Sequence, residues 1–455
     1  MTRYFDITDL VHFAQLNGTV SGIQRVQVRV IRHLASLSDP EEVICVFAKS
    51  RFHKVEACSA RALFDGEKYN AEDLLAKLDF TSEERAYTRR ELKQFLNRYP
   101  KGSVQRIIHK IKLYIIAFFS KRCARKYMEL PSVGFDRKQR MECIKTWKVR
   151  KLLPKCQLVL IGSSWNKSPV ITLAKHHHRD GGSVVQVIYD LIPHQHPEYC
   201  ISRLAKKFSR FLKYSSQFVS HYICISEFTK MELEKYLARA ETRTKVSCWP
   251  LAHEFEGYPR NKKLGSSLEA NSSQDFVEQP FVLCVGTIEV RKNGVLLLRA
   301  WQQLMKQSGS EVPLLVFAGK FGWKIEAFKT FLKSDQQLRR RVKIIQHPSD
   351  DELASLYQDC LFTIFPSLAE GWGLPVGEAA WFGKYSIVSS SSSLPEVLGD
   401  LVDYIDPDDC AGMVRSLRRI LNNSDYRMQK EQAIGSARLR SWKEVAGHLD
   451  QLLEE

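Results

Sequence analysis

The stretch FPSLAEGWGLPVGEAAWFGK, residues 365–384, holds two glutamates eight positions apart with a Gly-x-Gly-x-Pro turn between them. Just before it, residues 361–365 (LFTIF) are apolar and β-branched or aromatic, as in a strand buried in a parallel sheet. Pro375 suits the first position of a helix and Gly383 the residue just past its end, so the spacing predicts a short helix over 376–382. The order is strand, glycine turn, helix. In an open α/β sheet such a turn lies at the carboxyl ends of the strands, where ligands bind and a helix start offers free N–H groups to an anion. Glu378, placed in the first turn of that helix, reads equally as a residue stabilised by the dipole and as an acceptor for a ligand hydroxyl. Glu370 has no dipole to explain it, since it precedes a glycine in a turn where any polar residue would serve.

Outward from this stretch, strand-like runs alternate with helical ones. They lie at 3–8, 43–49, 157–162, 184–192, 222–226 and 245–249 in the first half. In the second half they lie at 281–286, 314–319, 342–346, 361–365, 386–390 and 402–406. Two successive βαβ series predict two doubly wound, Rossmann-like domains, with a cleft between them as the default site. The polar stretch around 259–279 has no apolar periodicity and reads as a linker. The expected division is therefore 1–258, then the linker, then 280–435, with a last segment at 436–455. The five serines at 389–393 read as a loop and no more.

With 455 residues, 44% of them apolar, the chain can bury large cores and is globular. Its eleven cysteines are scattered, never spaced C-x-x-C, and several lie inside apolar strands, the usage of a reducing compartment. The start, MTRYFDITDL, lacks the pattern of a signal peptide, and the apolar run at 113–119 is far short of a membrane span, so a cytoplasmic protein is expected.

The net charge of +17 is concentrated. Residues 81–155 hold 21 Lys and Arg against 6 Asp and Glu, a net +15. Within this basic insertion Val104, Ile107, Ile108, Ile111, Ile115, Phe118 and Phe119 recur at steps of three and four. Cations from Arg106 to Lys126 flank them, which describes a basic amphipathic helix. Its stripe either lies in an anionic membrane surface, with residues 103–126 as the contact, or packs on the protein's own core. The aromatic and basic interleaving of a nucleic-acid surface is missing, so no nucleic-acid partner is expected.

Several strand ends carry candidate ligand-binding groups. Arg291 and Lys292 fall between a strand and a helix expected from about Gly294 to Met305, where two cations can clamp a diphosphate. Gly18 and Gly22 precede an amphipathic helix, where backbone can approach a phosphate closely. Trp165, Asp190 and His194 also follow strands and are candidates to face the cleft. The run of histidines at 176–178 invites a metal, but adjacent histidines point to different faces of a helix and no carboxylate sits at ligand spacing, so none is expected. Ser349 and Glu352 read as a helix capping box. No Gly-x-x-x-x-Gly-Lys-Ser/Thr, Gly-x-Ser-x-Gly or His-Glu-x-x-His occurs, which removes the main support for ATPase, hydrolase and zinc-protease readings.

From FVLCVGTIEVRKN through HPSDDELASLYQDCLFTIFPSLAEGWGLPVGEAAWFGKYSIVSSSSSLPEVLGDLVDYIDPDD, the second half closely resembles the retaining nucleotide-sugar glycosyltransferases of family 4. The first half resembles them only at VSGIQRV, YDLIPHQHPEY and ICISEFTK. The resemblance implies the GT-B fold, two doubly wound domains facing across a cleft, here with a basic helical insertion in the first. It implies that Glu370 contacts the transferred sugar and Glu378 holds the ribose hydroxyls. The amides of Gly371, Trp372, Gly373 and Leu374, with Arg291 and Lys292, would bind the diphosphate, and Gly22 would lie against the phosphates. It also implies a last helix that crosses back to the first domain, with Trp442 as a packing anchor.

Two positions depart from the family pattern. Thr287 stands where members usually carry arginine, which shifts diphosphate binding onto Arg291 and Lys292. Tyr189 and Asp190 stand where many have a histidine. Asp190 then either orients acceptor or sugar or braces its loop. The resulting expectation is a bacterial glycosyltransferase using a nucleotide-sugar without a metal or other cofactor. Its acceptor is a lipid-linked or cell-surface polysaccharide, met at the cytoplasmic face of the inner membrane. The alternatives are a phosphorylase or epimerase on the same fold, or a catalytically silent scaffold at the membrane.

Overall fold

Every run read as a strand pairs in one of two sheets. The structure, a computed structural model, describes residues 1–455 other than 16, 18, 19, 21, 40, 49–54, 67, 68, 81–91, 93, 94, 101, 120–126, 129–143, 154, 167, 241–243, 261–278 and 309–311. Most of the linker expected at 259–279, about half of the basic insertion at 81–155, and Gly18 therefore lie outside the described residues. The described chain groups into two units, Met1–Gln186 with Phe218–Ser220, and Val187–Gln217 with His221–Glu455.

The first sheet comprises β1 (Arg3–Asp6), β2 (Val43–Ala48), β3 (Val55–Ser59), β4 (Trp147–Val149), β5 (Gln157–Leu160), β6 (Ser183–Ile188), β7 (His221–Cys224) and β8 (Lys245–Cys248). Their order is β4-β3-β2-β1-β5-β6-β7-β8. The β1–β2, β1–β5, β5–β6 and β7–β8 pairs are parallel, whereas β3 runs antiparallel to both β2 and β4. The sequence reading missed β3 and β4. Both are short edge-side segments, VEACS and WKV, with a charged residue inside each, and the second belongs to the insertion expected to be helical.

The second sheet comprises β9 (Phe281–Val285), β10 (Leu314–Ala318), β11 (Val342–Ile345), β12 (Phe362–Phe365), β13 (Ser386–Ser389) and β14 (Asp403–Ile405). All of its pairs are parallel, in the order β11-β10-β9-β12-β13-β14. This is the doubly wound arrangement, whose connections reverse direction between the first and fourth strands and leave a crevice outside their carboxyl ends. Those two strands are β9 and β12. Helices cover both faces. Trp301, Leu297 and Leu298 from the Gly294–Ser308 helix fill one core, and Phe255, Tyr357 and Phe382 fill the other.

The Val104–Phe119 helix exists, and Leu113 is buried. Of the predicted stripe, Val104, Ile107, Ile108, Ile111 and Ile115 are exposed, and the side chains of Phe118 and Phe119 lie outside the described residues. Among the described residues no helix is long and apolar enough to cross a membrane. The described cysteines are all free and most are buried. The Asp350–Asp359 helix begins with the expected capping box, Ser349 and Glu352 exchanging hydrogen bonds. Trp442 is buried at the start of the Trp442–Glu454 helix. Its indole N–H donates to the carbonyl of Glu254, while the Trp249 indole donates to the carbonyl of Val445.

Candidate active site

The crevice between β9 and β12 is lined by the loops that follow those strands, and both carry the charged residues singled out from sequence. After β9 the chain makes a short 3-10 turn, Val290–Lys292, then takes Asn293 through a left-handed conformation into the Gly294–Ser308 helix. This turn aims Arg291 and Lys292 at the loop after β12. Arg291 places one guanidinium nitrogen 2.7 Å from Oε2 of Glu370 and donates to the carbonyl of Ala369 at 2.6 Å. Lys292 donates to Oε1 of Glu370 at 2.5 Å, its ammonium 4.4 Å from the centre of the Phe365 ring. Glu289 closes the cluster by accepting from Nε of Arg291 at 3.1 Å.

Two cations and two carboxylates thus compensate one another in a place nearly shut off from water. Burial works to raise the Glu370 carboxyl, but the fields of Arg291 and then Lys292 overcome it and hold the group down at about 2. Glu370 is therefore anionic at neutral pH, suited to support positive charge and unsuited to donate a proton. Burial lowers Lys292, with Glu370 opposing the shift. Asp190 moves the other way, raised by burial against the pull of Arg291.

The predicted strand at 184–192 ends at Ile188, and Asp190 sits in the loop beyond it, its Oδ1 accepting from the N–H of Ile192 at 3.0 Å. Asp190 and Glu370 line one cavity of about 80 Å³, together with Gln195, His196, Thr229, Glu232 and Ser392. His194 is absent from that lining. It hydrogen-bonds Ser209 and packs edge-on against Tyr236.

The glycine turn is held from several sides. A Cβ on Gly371 would stand 1.9 Å from the carbonyl oxygen of Tyr189, so only glycine lets the two loops meet. Gly373, with φ +125, caps the helix. Trp372 is buried, with the Arg440 guanidinium 5.3 Å from its ring centre and His253 edge-on to it. The imidazole of His253 bonds on both nitrogens, to the carbonyl of Val397 and the N–H of Arg440, and burial pushes it down to about 4.

One expectation is corrected here. The helix runs Leu374–Trp381, beginning two residues early because Gly373 supplies the turn and Pro375 fits the first turn equally well. Glu378 consequently lies beyond the first turn, and the helix dipole does not account for it. It is buried, and Oε2 accepts from the Tyr357 hydroxyl at 2.9 Å.

The serine run after β13 proves to be a brace. Ser391 donates to the carbonyl of Leu368, Ser392 accepts from the N–H of Glu370 at 2.8 Å, and Ser393 donates to the carbonyls of Glu370 and Trp372. Just beyond, both oxygens of Glu396 accept from the N–H groups of Glu227 and Phe228, each at 2.7 Å, at the start of the Glu227–Arg239 helix. That helix contributes Phe228, Thr229 and Glu232 to the cavity. Gly22, with φ +53, precedes the Ile23–Leu37 helix in the first unit.

Residues 268–436 match the family described as Glycosyl transferases group 1, and this part of the chain is a domain of that kind. The chain is 25% identical over 263 residues to O-antigen chain mannosyltransferase B of Escherichia coli, covering 57% of this chain and 67% of that one. It is 28% identical over 202 residues to Serotype-specific mannosyltransferase WbdA of Escherichia coli, covering 43% of this chain and 24% of that protein. The chain thus spans about a quarter of the length of WbdA. Among solved structures, Anabaena Alr3699/HepE in complex with UDP and glucose superposes with a TM-score of 0.58 at 14% identity, covering 100% of this chain and 99% of that one. Sucrose-phosphate synthase from Thermosynechococcus elongatus gives 0.57 at 15%, covering 100% and 98%. These likenesses establish the GT-B fold.

Proposed function

We propose that this chain transfers a hexosyl group, mannose by its relatives, from a nucleoside diphosphate sugar to a growing polysaccharide acceptor of the lipopolysaccharide type. The observation that carries the reading is the Arg291–Glu370–Lys292 cluster, formed at the switch point of the second sheet inside the group 1 domain. Departure of a nucleoside diphosphate puts negative charge on phosphate and positive charge on the sugar ring. Arg291 and Lys292 answer the first and ionised Glu370 the second. The reading assigns the charge on the diphosphate to these side chains and the amides of Gly371 to Leu374, with no metal. Glu378, a buried hydrogen-bond acceptor for Tyr357, would hold the ribose hydroxyls. Gly22 would approach the phosphates.

Because Glu370 and Glu289 already compensate both cations, the diphosphate enters by displacing Glu370 from at least one of them. We assign retention of configuration, with the acceptor hydroxyl attacking from the face the diphosphate leaves and the phosphate taking its proton. Asp190, kept less acidic by burial, orients the reacting hydroxyl. The acceptor is lipid-linked, and the exposed stripe of the Val104–Phe119 helix holds the enzyme at the cytoplasmic face of the membrane.

A thermal-shift screen against UDP, GDP, dTDP and ADP and their sugar conjugates tests the donor site, since a ligand of the folded state raises the melting point. A rise with one nucleotide, lost in Lys292→Ala, is expected. No rise with any of them overturns the donor site and returns the scaffold alternative. The anomeric configuration of the product decides retention, and phosphate-dependent turnover would favour a phosphorylase.

A further inference from the structure

We infer that the Ser202–Ser215 helix is an electrostatic docking face for an anionic phospholipid surface, separate from the apolar stripe of the Val104–Phe119 helix. Its sequence, SRLAKKFSRFLKYS, contains five cations and no carboxylate. Ala205, Phe208, Phe211, Leu212 and Ser215 are buried on one side. Arg203, Lys206, Lys207, Arg210 and Lys213 recur at three- and four-residue steps on the other, all exposed. A helix on a soluble surface usually mixes signs, because like charges three and four apart repel one another. Here that cost is accepted along nearly four turns. An anionic surface removes it.

Two further features fit a lipid headgroup layer. Tyr214 is 45% exposed within the basic stripe and Ile201 is 49% exposed at its start, an amphipathic ring and an aliphatic chain able to enter the interface beneath the cations. Lys213 lies 5.8 Å from the centre of the Tyr214 ring. The face is also coupled to the candidate site. The helix packs on the Ile192–Gln195 turn, and His194 hydrogen-bonds Ser209 at 3.1 Å. Gln195 and His196 next to that contact line the cavity that holds Glu370 and Asp190. A headgroup layer resting on this helix brings lipid-linked material to the rim of that cavity. Glu198, in the preceding turn, is the nearest acid in sequence, and it is occupied with His196.

The choice of lipid as partner rests on the proposed function, but the test is independent of it. Co-sedimentation would be measured with phosphatidylcholine vesicles, with and without phosphatidylglycerol. The variant would carry Arg203→Gln, Lys206→Gln, Lys207→Gln, Arg210→Gln and Lys213→Gln. At about a tenfold effect or less per cation near the surface, the five together should weaken binding to the anionic vesicles by roughly a hundredfold or more, and added salt should weaken the wild type similarly. Replacing Ile107, Ile111 and Ile115 by serine should lower binding while keeping its dependence on phosphatidylglycerol. If the fivefold variant melts lower than the wild type, the pair Lys206→Glu with Arg210→Glu is read instead.

Undiminished binding in the variants of the Ser202–Ser215 helix overturns the inference, as does equal binding of the wild type to neutral vesicles. Preference for single-stranded RNA over the anionic vesicles at equal phosphate also overturns it. The nucleotide-induced rise in melting point should survive in every one of these variants. Its absence in the wild type would count against the donor site and leave the docking face standing.

Discussion

The two sheets treat a buried carboxyl at a switch point in opposite ways. At the end of β1, Asp6 is wholly buried, accepts from the Thr8 N–H and from Ser164 at 2.5 Å, and is pushed up to about 6 by burial. Beyond β12, Glu370 is also buried but faces two cations, and is held at about 2. Hydrogen bonds from neutral groups leave a carboxyl in the interior close to giving up its charge, whereas Arg291 and Lys292 fix the charge in place. The first arrangement braces a loop. The second holds an anion between two buried cations.

The sharpest way to break this comparison is Glu370→Gln. Transfer should fall by roughly a thousandfold, the scale of losing a group that stabilises transition-state charge. Removing the carboxylate leaves Arg291 and Lys292 buried without compensation, which costs on the order of 3–5 kcal/mol in the free protein. A nucleoside diphosphate restores that compensation, so the melting point of the free variant should drop and its rise on adding nucleotide should exceed the wild type's. A smaller rise would show that Glu370 does not compete with the diphosphate.

Asp6→Asn probes the other carboxyl through pH. The folded value lies above the ordinary 3.8, so the stabilisation from the bound proton is full below pH 4 and is lost as pH rises through about 6. Chemical denaturation of the variant between pH 4 and 7 should lack about 2–3 kcal/mol of that decline. An identical pH dependence in both proteins would mean that Asp6 is ionised throughout. Glu370 contributes with the opposite sign, its stabilisation present above the ordinary carboxylate range and lost only as pH falls through about 2.

Ser392→Ala with Ser393→Ala removes the brace behind Glu370. Activity should fall about tenfold, since misplacing a charged group near the reacting atoms is costly, while nucleotide binding changes little. The smallest effect is expected from Tyr357→Phe, which deletes the hydroxyl donated to Glu378. It should lower stability by about 1 kcal/mol and alter nucleotide affinity by a few-fold at most.

What could be read in advance followed from burial on both faces. Parallel strands such as β9, β10 and β12 are continuous apolar runs, and each was legible. The antiparallel β3 and β4 are short and each carries a charged residue, Glu56 and Lys148, so neither forms a continuous apolar run. In the site, Arg291, Lys292 and Glu370 were legible because cations and a carboxylate in tight turns after strands have few structural excuses. The serines at 391–393 were passed over because a hydroxyl-rich loop looks the same whether it faces water or braces a buried turn. Glu289 and Glu396 were missed because a carboxylate near an N–H-rich turn is common on any surface. Only the fold shows which partners they have. The early start of the Leu374–Trp381 helix turned on one glycine at positive φ, a conformation that composition permits but does not specify.

The contact between Gly371 and the carbonyl of Tyr189 sets a limit on how this protein can diversify. The loops that carry Glu370 and Asp190 meet at bare backbone, so any side chain at position 371 would have to push the Tyr189 carbonyl and the turn after β12 apart. Gln195, His196 and Glu232 border the same cavity with side chains, Gln195 donating to Glu232, so substitution there reshapes the wall without meeting that backbone. Variation is therefore far less constrained along the cavity wall than at position 371.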